Sequence, residues 1–247
     1  MPLVVGVCGG IASGKSTVSQ LLGELGARVI DADKLGHACY EPGHPCVSEM
    51  AAAFGPDIID VDGRVDRKKL GPKVFASEEA MQTLNETVWP HIRRALEAAI
   101  ADARAAGPPD RPEELCVEVV CVEAAIMLSA GWQDLMDEVI VTTIEPNVAL
   151  PRLLQRNPNL TPEAARERMQ KTAIRDAMIA EHAHHVITNN EGLDELKDQV
   201  VAYWGRRGQY AQEKSRRQLH RFLGVGMIIG IAALIVIQIA KGRASRR

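Results

Sequence analysis

The sequence predicts an α/β protein: a five-stranded parallel sheet with helices between its strands, a helical insertion, a lid, and a C-terminal membrane helix. Three observations carry this. A β-branched apolar run, Leu3-Val4-Val5-Gly6-Val7-Cys8, leads straight into the glycine-rich Gly9–Thr17. Further short apolar runs alternate with helical patterns, the signature of parallel β-α-β units. Phe222 to Ala240 is a run of 19 residues without charge. The remaining composition, 46% hydrophobic and 25% charged over 247 residues, is that of an ordinary globular chain and excludes collagen-like or wholly disordered alternatives.

The first strand opens at once, with no targeting peptide before it. It runs into Gly9-Gly10-Ile11-Ala12-Ser13-Gly14-Lys15-Ser16-Thr17, which is GxxxxGK[ST], the phosphate-binding loop. Glycines at 9 and 14 allow backbone angles that turn consecutive N–H groups inward on phosphate oxygens. Lys15 reaches the β- and γ-phosphates, and Ser16 offers its hydroxyl to Mg²⁺. Thr17 to Leu25 continues as a helix that Gly26 terminates. The second strand, Arg28-Val29-Ile30, ends in Asp31-Ala32-Asp33. Carboxylates at this end of a parallel strand face the ligand crevice. On an extended chain Asp31 and Asp33 share a side. We expect Asp33 to accept the proton of an attacking hydroxyl and Asp31 to support it. The competing reading is that one of them only caps the next helix. The third strand, Cys116–Val122, ends in Glu123, as in the Walker B arrangement where the acid orients Mg²⁺ or its water. Glu138–Thr143 and His185–Thr188 read as the fourth and fifth strands.

Between strands four and five basic residues cluster: Arg152, Arg156, then Arg166, Arg168, Lys171 and Arg175 on a helix started by Thr161-Pro162-Glu163. Solvated helices carry such charges too, but a lid here could lower arginines onto a transferring phosphoryl group. Residues 40–107 read as helical, strongest over Glu78–Leu84 and Ile92–Ala106, and Gly107–Pro112 as a surface loop. His182, His184 and His185 straddle a helix end and a strand start, which favours structural roles over a metal site. Asp60-Val61-Asp62-Gly63 matches DxxG, yet no NKxD accompanies it, which disfavours a GTPase.

Charge is uneven. Residues 216–247 hold seven Lys or Arg and no acid, leaving 22 basic against 32 acidic residues, a net −10, in 1–215. An acidic body is a poor binder of nucleic acid. The basic residues instead bracket the apolar run, which as a helix spans about 28 Å, close to a bilayer core. With seven residues after it, the run reads as an anchor inserted after synthesis, with residues 1–221 in the cytosol and the mitochondrial outer membrane favoured. Gly226-Met-Ile-Ile-Gly230 fits the GxxxG pattern. Five cysteines, odd in number and without CxxC spacing, read as reduced thiols. Oligomeric state is left open.

Over residues 3–205 the chain resembles the dephospho-CoA kinase family. The resemblance rests on residues 9–17 followed by Val29-Ile30-Asp31-Ala32-Asp33, on Glu41-Pro42-Gly43, on Gly63-Arg64-Val65-Asp66-Arg67 with Leu70 and Phe75, and on Val186-Ile187-Thr188-Asn189-Asn190. It implies a P-loop kinase fold and ATP-dependent phosphorylation of the ribose 3′-hydroxyl of dephospho-CoA. The implied core is 1–40 with 108–205 (lid about 152–180), the acceptor domain 41–107, and then a basic linker 206–221, the membrane helix 222–240 and a short tail 241–247. Asp33, Lys15 and Arg156 are then catalytic. Gly9, Gly10, Ile11, Ala12, Ser13, Gly14, Lys15, Ser16, Thr17, Arg152, Arg175 and Asn189 take ATP. Asp31, Arg67, Pro90 and Glu123 face the acceptor, and Ser16 and Glu123 hold Mg²⁺. The chain departs from the family where His-Pro is replaced by Trp89-Pro90 and where Asp-x-Pro-Leu-Leu-x-Glu reads Glu123-Ala-Ala-Ile-Met-Leu-Ser129. Ala124-Ala125 with Ala130-Gly131-Trp132 is similar to the kinase domain of the animal bifunctional CoA synthase, and with the anchor this favours a eukaryotic source. The alternatives are a small-molecule P-loop kinase with another acceptor, or a membrane-anchored ATP-binding module with little turnover.

Overall fold

The computed structural model describes residues 2–106, 118–170 and 181–206. The expected membrane run 222–240, its basic flanks, the 107–112 loop, Cys116, Lys171 and Arg175 lie outside the described residues. Among the described residues no helix is long and apolar enough to cross a membrane.

Five parallel strands form one sheet in the order β2-β3-β1-β4-β5: β1 Leu3–Gly9, β2 Arg28–Asp31, β3 Val119–Glu123, β4 Glu138–Thr143 and β5 His185–Thr188. Strand β1 is central and buried on both faces, which is why it reads as a continuous apolar run. Side chains alternate between faces, so its residues divide between two cores. Val4 and Cys8 join the core under the helical insertion, with Val120 and Val122. Leu3, Val5 and Val7 join the core against α1 (Lys15–Glu24) and the helical stretch 193–206, with Val119 and Cys121.

Helix α1 closes as expected. Gly26, at φ 111°, follows the C-cap Leu25, and the N–H groups of Gly26 and Ala27 return to Gly23 O (2.9 Å) and Leu22 O (2.8 Å). This is a Schellman ending, which a residue without Cβ adopts at little cost.

The insertion holds α2 (Ala32–Ala38), α3 (Pro45–Phe54), α4 (Arg67–Val74) and α5 (Glu78–Ala105). Ser77, Asp66 and His44 cap α5, α4 and α3. The two strongest helical patterns, Glu78–Leu84 and Ile92–Ala106, belong to a single element: α5 is one helix of 28 residues that runs through Trp89-Pro90. An interior proline costs about 3 kcal/mol. Val88, Ile92, Leu96 and Ile100 are buried in one stripe across it, and each contributes about 1.5–3 kcal/mol. Burial therefore outweighs the lost hydrogen bond. Asp60-Val-Asp-Gly63 is a turn: Asp60 Oδ1 accepts from the Asp62 and Arg64 N–H groups, and Ile59 bridges Val65. The histidines are structural at two positions. His184 Nδ1 accepts from Val139 N (3.1 Å), and His185 packs edge-on to Tyr203 at 4.9 Å. After β4, α6 (Pro146–Arg156) and residues 162–170 are helical.

Candidate active site

At the carboxyl edge of the sheet β1 turns through residues 10–14 into α1. Gly14 caps α1 at φ 92° with no side-chain acceptor, so the first N–H groups of the helix stay available to an anion. A Cβ at Gly14 would also strike the Asn189 amide. Ala12 takes a left-handed φ of 60°, a conformation held only where the surroundings over-determine it. Those surroundings are visible: Ser13 Oγ donates to Gly10 O (2.9 Å) and lies 2.6 Å from Thr142 Oγ1 at the end of β4.

The loop's charged residue is parked. Lys15 Nζ donates to Gly9 O (3.0 Å) and Gly10 O (2.9 Å). A polyphosphate entering the loop offers Lys15 charged oxygens in place of two neutral carbonyls, and charge-assisted bonds are about twice as strong.

The strand register brings the acids together. Asp31 lies opposite Glu123 across β2 and β3, and Glu123 lies opposite Val7 across β3 and β1. Ser16 Oγ donates to Glu123 Oε1 at 2.6 Å. A hydroxyl and a carboxylate so placed form an all-oxygen donor set that suits a hard cation such as Mg²⁺. Glu123 thus contacts the loop through Ser16, in keeping with its place at the end of the third strand.

The expectation that Asp31 and Asp33 share one side of an extended chain is corrected. Asp31 is the N-cap of α2, its Oδ1 accepting from the N–H groups of Asp33 (3.0 Å) and Lys34 (3.1 Å), so the chain is already helical at Asp33. The two aspartates separate by role: one is occupied by the backbone and the other is free of that task. Asp33 stays solvent-accessible. Partial desolvation and then the charge of Asp31 push its carboxyl above the ordinary range, against lesser opposing effects of Lys15 and His37.

Two cavities flank the loop. On the β2 side a 450 Å³ cavity is lined by Asp33, Tyr40, Arg67, Asn85, Trp89 and Trp132, among others. The Arg67 guanidinium lies over the Tyr40 ring, 4.7 Å from its centroid. On the β4 side a 610 Å³ cavity is lined by Gly9, Gly10, Thr142, Leu150, Arg166 and Met169, among others. Behind the loop, Asn189 Nδ2 donates to Ser13 O (3.1 Å) and Arg152 Nη1 donates to Asn189 O (2.8 Å). Asn189 and Arg152 therefore brace the loop from β5 and α6.

Of the residues expected from sequence, the structure joins Lys15, Ser16, Glu123, Asn189, Arg152, Asp31, Asp33 and Arg67 around one edge. Pro90 is exposed and lines neither cavity; its neighbour Trp89 faces the acceptor side. Arg156 ends α6, exposed, whereas Arg166 lines the β4-side cavity. Tyr40, Asn85 and Trp132 were not legible as site residues from the sequence. A signal existed for Trp132: in a chain with 4% aromatic residues, two of the three tryptophans line one cavity.

A family profile described as dephospho-CoA kinase matches residues 3–195. A dephospho-CoA kinase of Geobacillus kaustophilus is 36% identical over 203 residues, covering 82% of this chain and 95% of that one. One of Geobacter sulfurreducens is 35% identical, covering 83% and 98%. Among solved structures, a dephospho-CoA kinase from Campylobacter jejuni superposes with a TM-score of 0.61 at 24% identity over 85% of this chain and 98% of that one. A Thermus thermophilus protein superposes with a TM-score of 0.65 at 24% identity over 83% and 97%. At that identity the two structures speak for the fold alone.

Proposed function

The chain belongs to the dephospho-CoA kinase family, and from that premise we propose how its residues transfer the γ-phosphoryl of ATP to the ribose 3′-hydroxyl of dephospho-CoA. The observation that carries the reading is the placement of Asp33. It lines the β2-side cavity, and its N–H bonds Asp31, which the β2–β3 register sets opposite Glu123, the partner of Ser16 in the phosphate loop. Asp33 therefore stands between an acceptor held among Tyr40, Arg67, Trp89 and Trp132 and a polyphosphate held by residues 9–17.

In the transfer, Asp33 takes the proton of the 3′-hydroxyl as its oxygen forms a bond to the γ-phosphorus. The bond from that phosphorus to the β–γ bridging oxygen breaks, and ADP leaves with the electron pair. Lys15 leaves the Gly9 and Gly10 carbonyls and spreads charge over the β- and γ-oxygens. On the lid side Arg166, which lines the β4-side cavity, is available for the same task, whereas Arg156 lies exposed at the end of α6. Ser16 and Glu123 would hold Mg²⁺, which supplies charge neutralisation of the polyphosphate. The upward shift of Asp33 suits a base, because a carboxyl nearer neutrality accepts a proton more readily.

The test is ADP release by the full chain with ATP and Mg²⁺, with dephospho-CoA and without it, followed by mass analysis of the product. Acceptor-dependent turnover that yields a 3′-phosphate is expected. Turnover with another alcohol but not dephospho-CoA, or ATP binding without turnover, overturns the assignment.

Segment 222–240 belongs to the same proposal. Its uncharged length and basic flanks support an anchor that leaves the kinase facing the cytosol, with the mitochondrial outer membrane and a eukaryotic source favoured. The full chain is expected in the carbonate-resistant membrane fraction of cells and a chain ending at residue 215 in the supernatant. Equal partitioning of the two contradicts the anchor.

A further inference from the structure

Phosphoryl transfer uses none of the cysteines, yet two of them meet. Cys39 is the C-cap of α2, and Cys46 lies in the first turn of α3, just after Pro45. Both are buried, at 1% and 0% exposure. The Cys39 thiol donates to Leu35 O (3.6 Å), one turn back along α2. The exposed turn between the helices, 41–43, reverses the chain with Gly43 at φ 82° and delivers His44 to the same place. One ligand atom each of Cys39, His44 and Cys46 lie within 4.8 Å of one another. His44 is only half-buried, which leaves a way in from solvent.

We propose that Cys39, His44 and Cys46 form a binding site for one soft divalent cation of the Zn²⁺ class, which fastens the end of α2 to the start of α3. The donor chemistry argues for this class: two sulfurs and an imidazole suit Zn²⁺ and exclude Mg²⁺ or Ca²⁺, which take oxygen. Three protein donors leave a fourth position for water. The neighbouring groups support the ring. His91, whose Nε2 bonds Glu49 Oε2 at 2.8 Å, meets His44 edge to face at 5.3 Å. His44 Nδ1 now accepts from Cys46 N at 3.1 Å, so a metal on that nitrogen takes the place of a helix cap rather than breaking the core. The consequence reaches the acceptor cavity, because α2 carries Asp33 and His37 and the next residue after Cys39 is Tyr40, all of which line it. This placement does not depend on the acceptor's identity.

The experiment titrates Co²⁺ and then Zn²⁺ into the full chain, purified with a thiol-free reductant and with Mg²⁺ present to fill the phosphate site. The expected result is one Co²⁺ per chain with thiolate-to-cobalt absorption in the near ultraviolet, displaced by Zn²⁺, and a higher melting temperature once loaded. Loss of a group that merely supports a ligand costs about 10–100-fold in metal affinity, so C46S and H44A should each cost at least about 100-fold. C8S is a control expected to leave binding unchanged, and circular dichroism of each variant separates loss of ligand from loss of fold. Three outcomes overturn the proposal. One is no thiolate-to-cobalt band. Another is Co²⁺ binding that persists in a folded C39S/C46S variant. The last is recovery of the pair as a disulfide that forms in the presence of Zn²⁺.

Discussion

The phosphate side and the acceptor side of this site are built on different principles. Around the loop almost every polar group is parked on another protein group: Lys15 on two carbonyls, Ser16 on Glu123, Ser13 beside Thr142, Asn189 on Ser13, Arg152 on Asn189. The acceptor cavity is mostly aromatic and aliphatic, with Asp33, His37, Arg67 and Asn85 as sparse polar points. The first arrangement fixes charged oxygens through preformed N–H geometry. The second binds an organic body by contact area and orients it with few bonds. Substitutions on the two sides should therefore divide between rate and acceptor affinity.

Lys15→Ala should produce the largest effect on the phosphate side. Removing one donor from developing charge costs about 10²–10³ in kcat, and steady-state kinetics at saturating ATP would measure it. A near-normal kcat would mean that Lys15 stays on its carbonyls throughout the cycle. Glu123→Gln should raise the Mg²⁺ concentration for half-maximal rate by about 10–100-fold, and an unchanged Mg²⁺ dependence would reduce Glu123 to a partner of Ser16. Trp89→Ala should raise KM for the acceptor about tenfold, the equivalent of about 1.4 kcal/mol, while KM for ATP stays put. If both KM values rise together, the two sides are not separate.

The same division governs what was legible in the sequence. The phosphate side is contiguous in the chain, because a strand, a glycine turn and a helix start must follow one another to aim N–H groups at phosphate. Residues 9–17 declared it, and the bounds of β4 and β5 were readable from their apolar runs. The acceptor side is assembled from the segment just after α2, the start of α4, α5 and the turn before β4, whose residues Tyr40, Arg67, Trp89 and Trp132 have no sequence spacing in common. The local rules also fell short at two points. The two strongest helical patterns left Pro90 between them unassigned, and the buried stripe from Val88 to Ile100 carries one helix, α5, through it. Alternation put Asp31 and Asp33 on one side of an extended chain, but the competing capping reading holds: the Asp31 side chain caps α2 and the period changes from two to 3.6 at that residue. A capping Asp31 leaves Asp33, the residue expected as base, free of that task.

The joint between the two sides is Asp33, and the proposed transfer turns on it. The pH dependence of kcat should be measured for the wild type and Asp33→Asn alongside ATP affinity. A base is inactive while protonated. Because desolvation and Asp31 raise the Asp33 pKa, the wild-type rate should fall with decreasing pH sooner than for an ordinary carboxylate. Asp33→Asn should lower kcat by about 10²–10⁴, abolish that acid limb and leave ATP affinity unchanged. A variant that keeps both its rate and its acid limb, or that fails only to bind ATP, would contradict the role of Asp33.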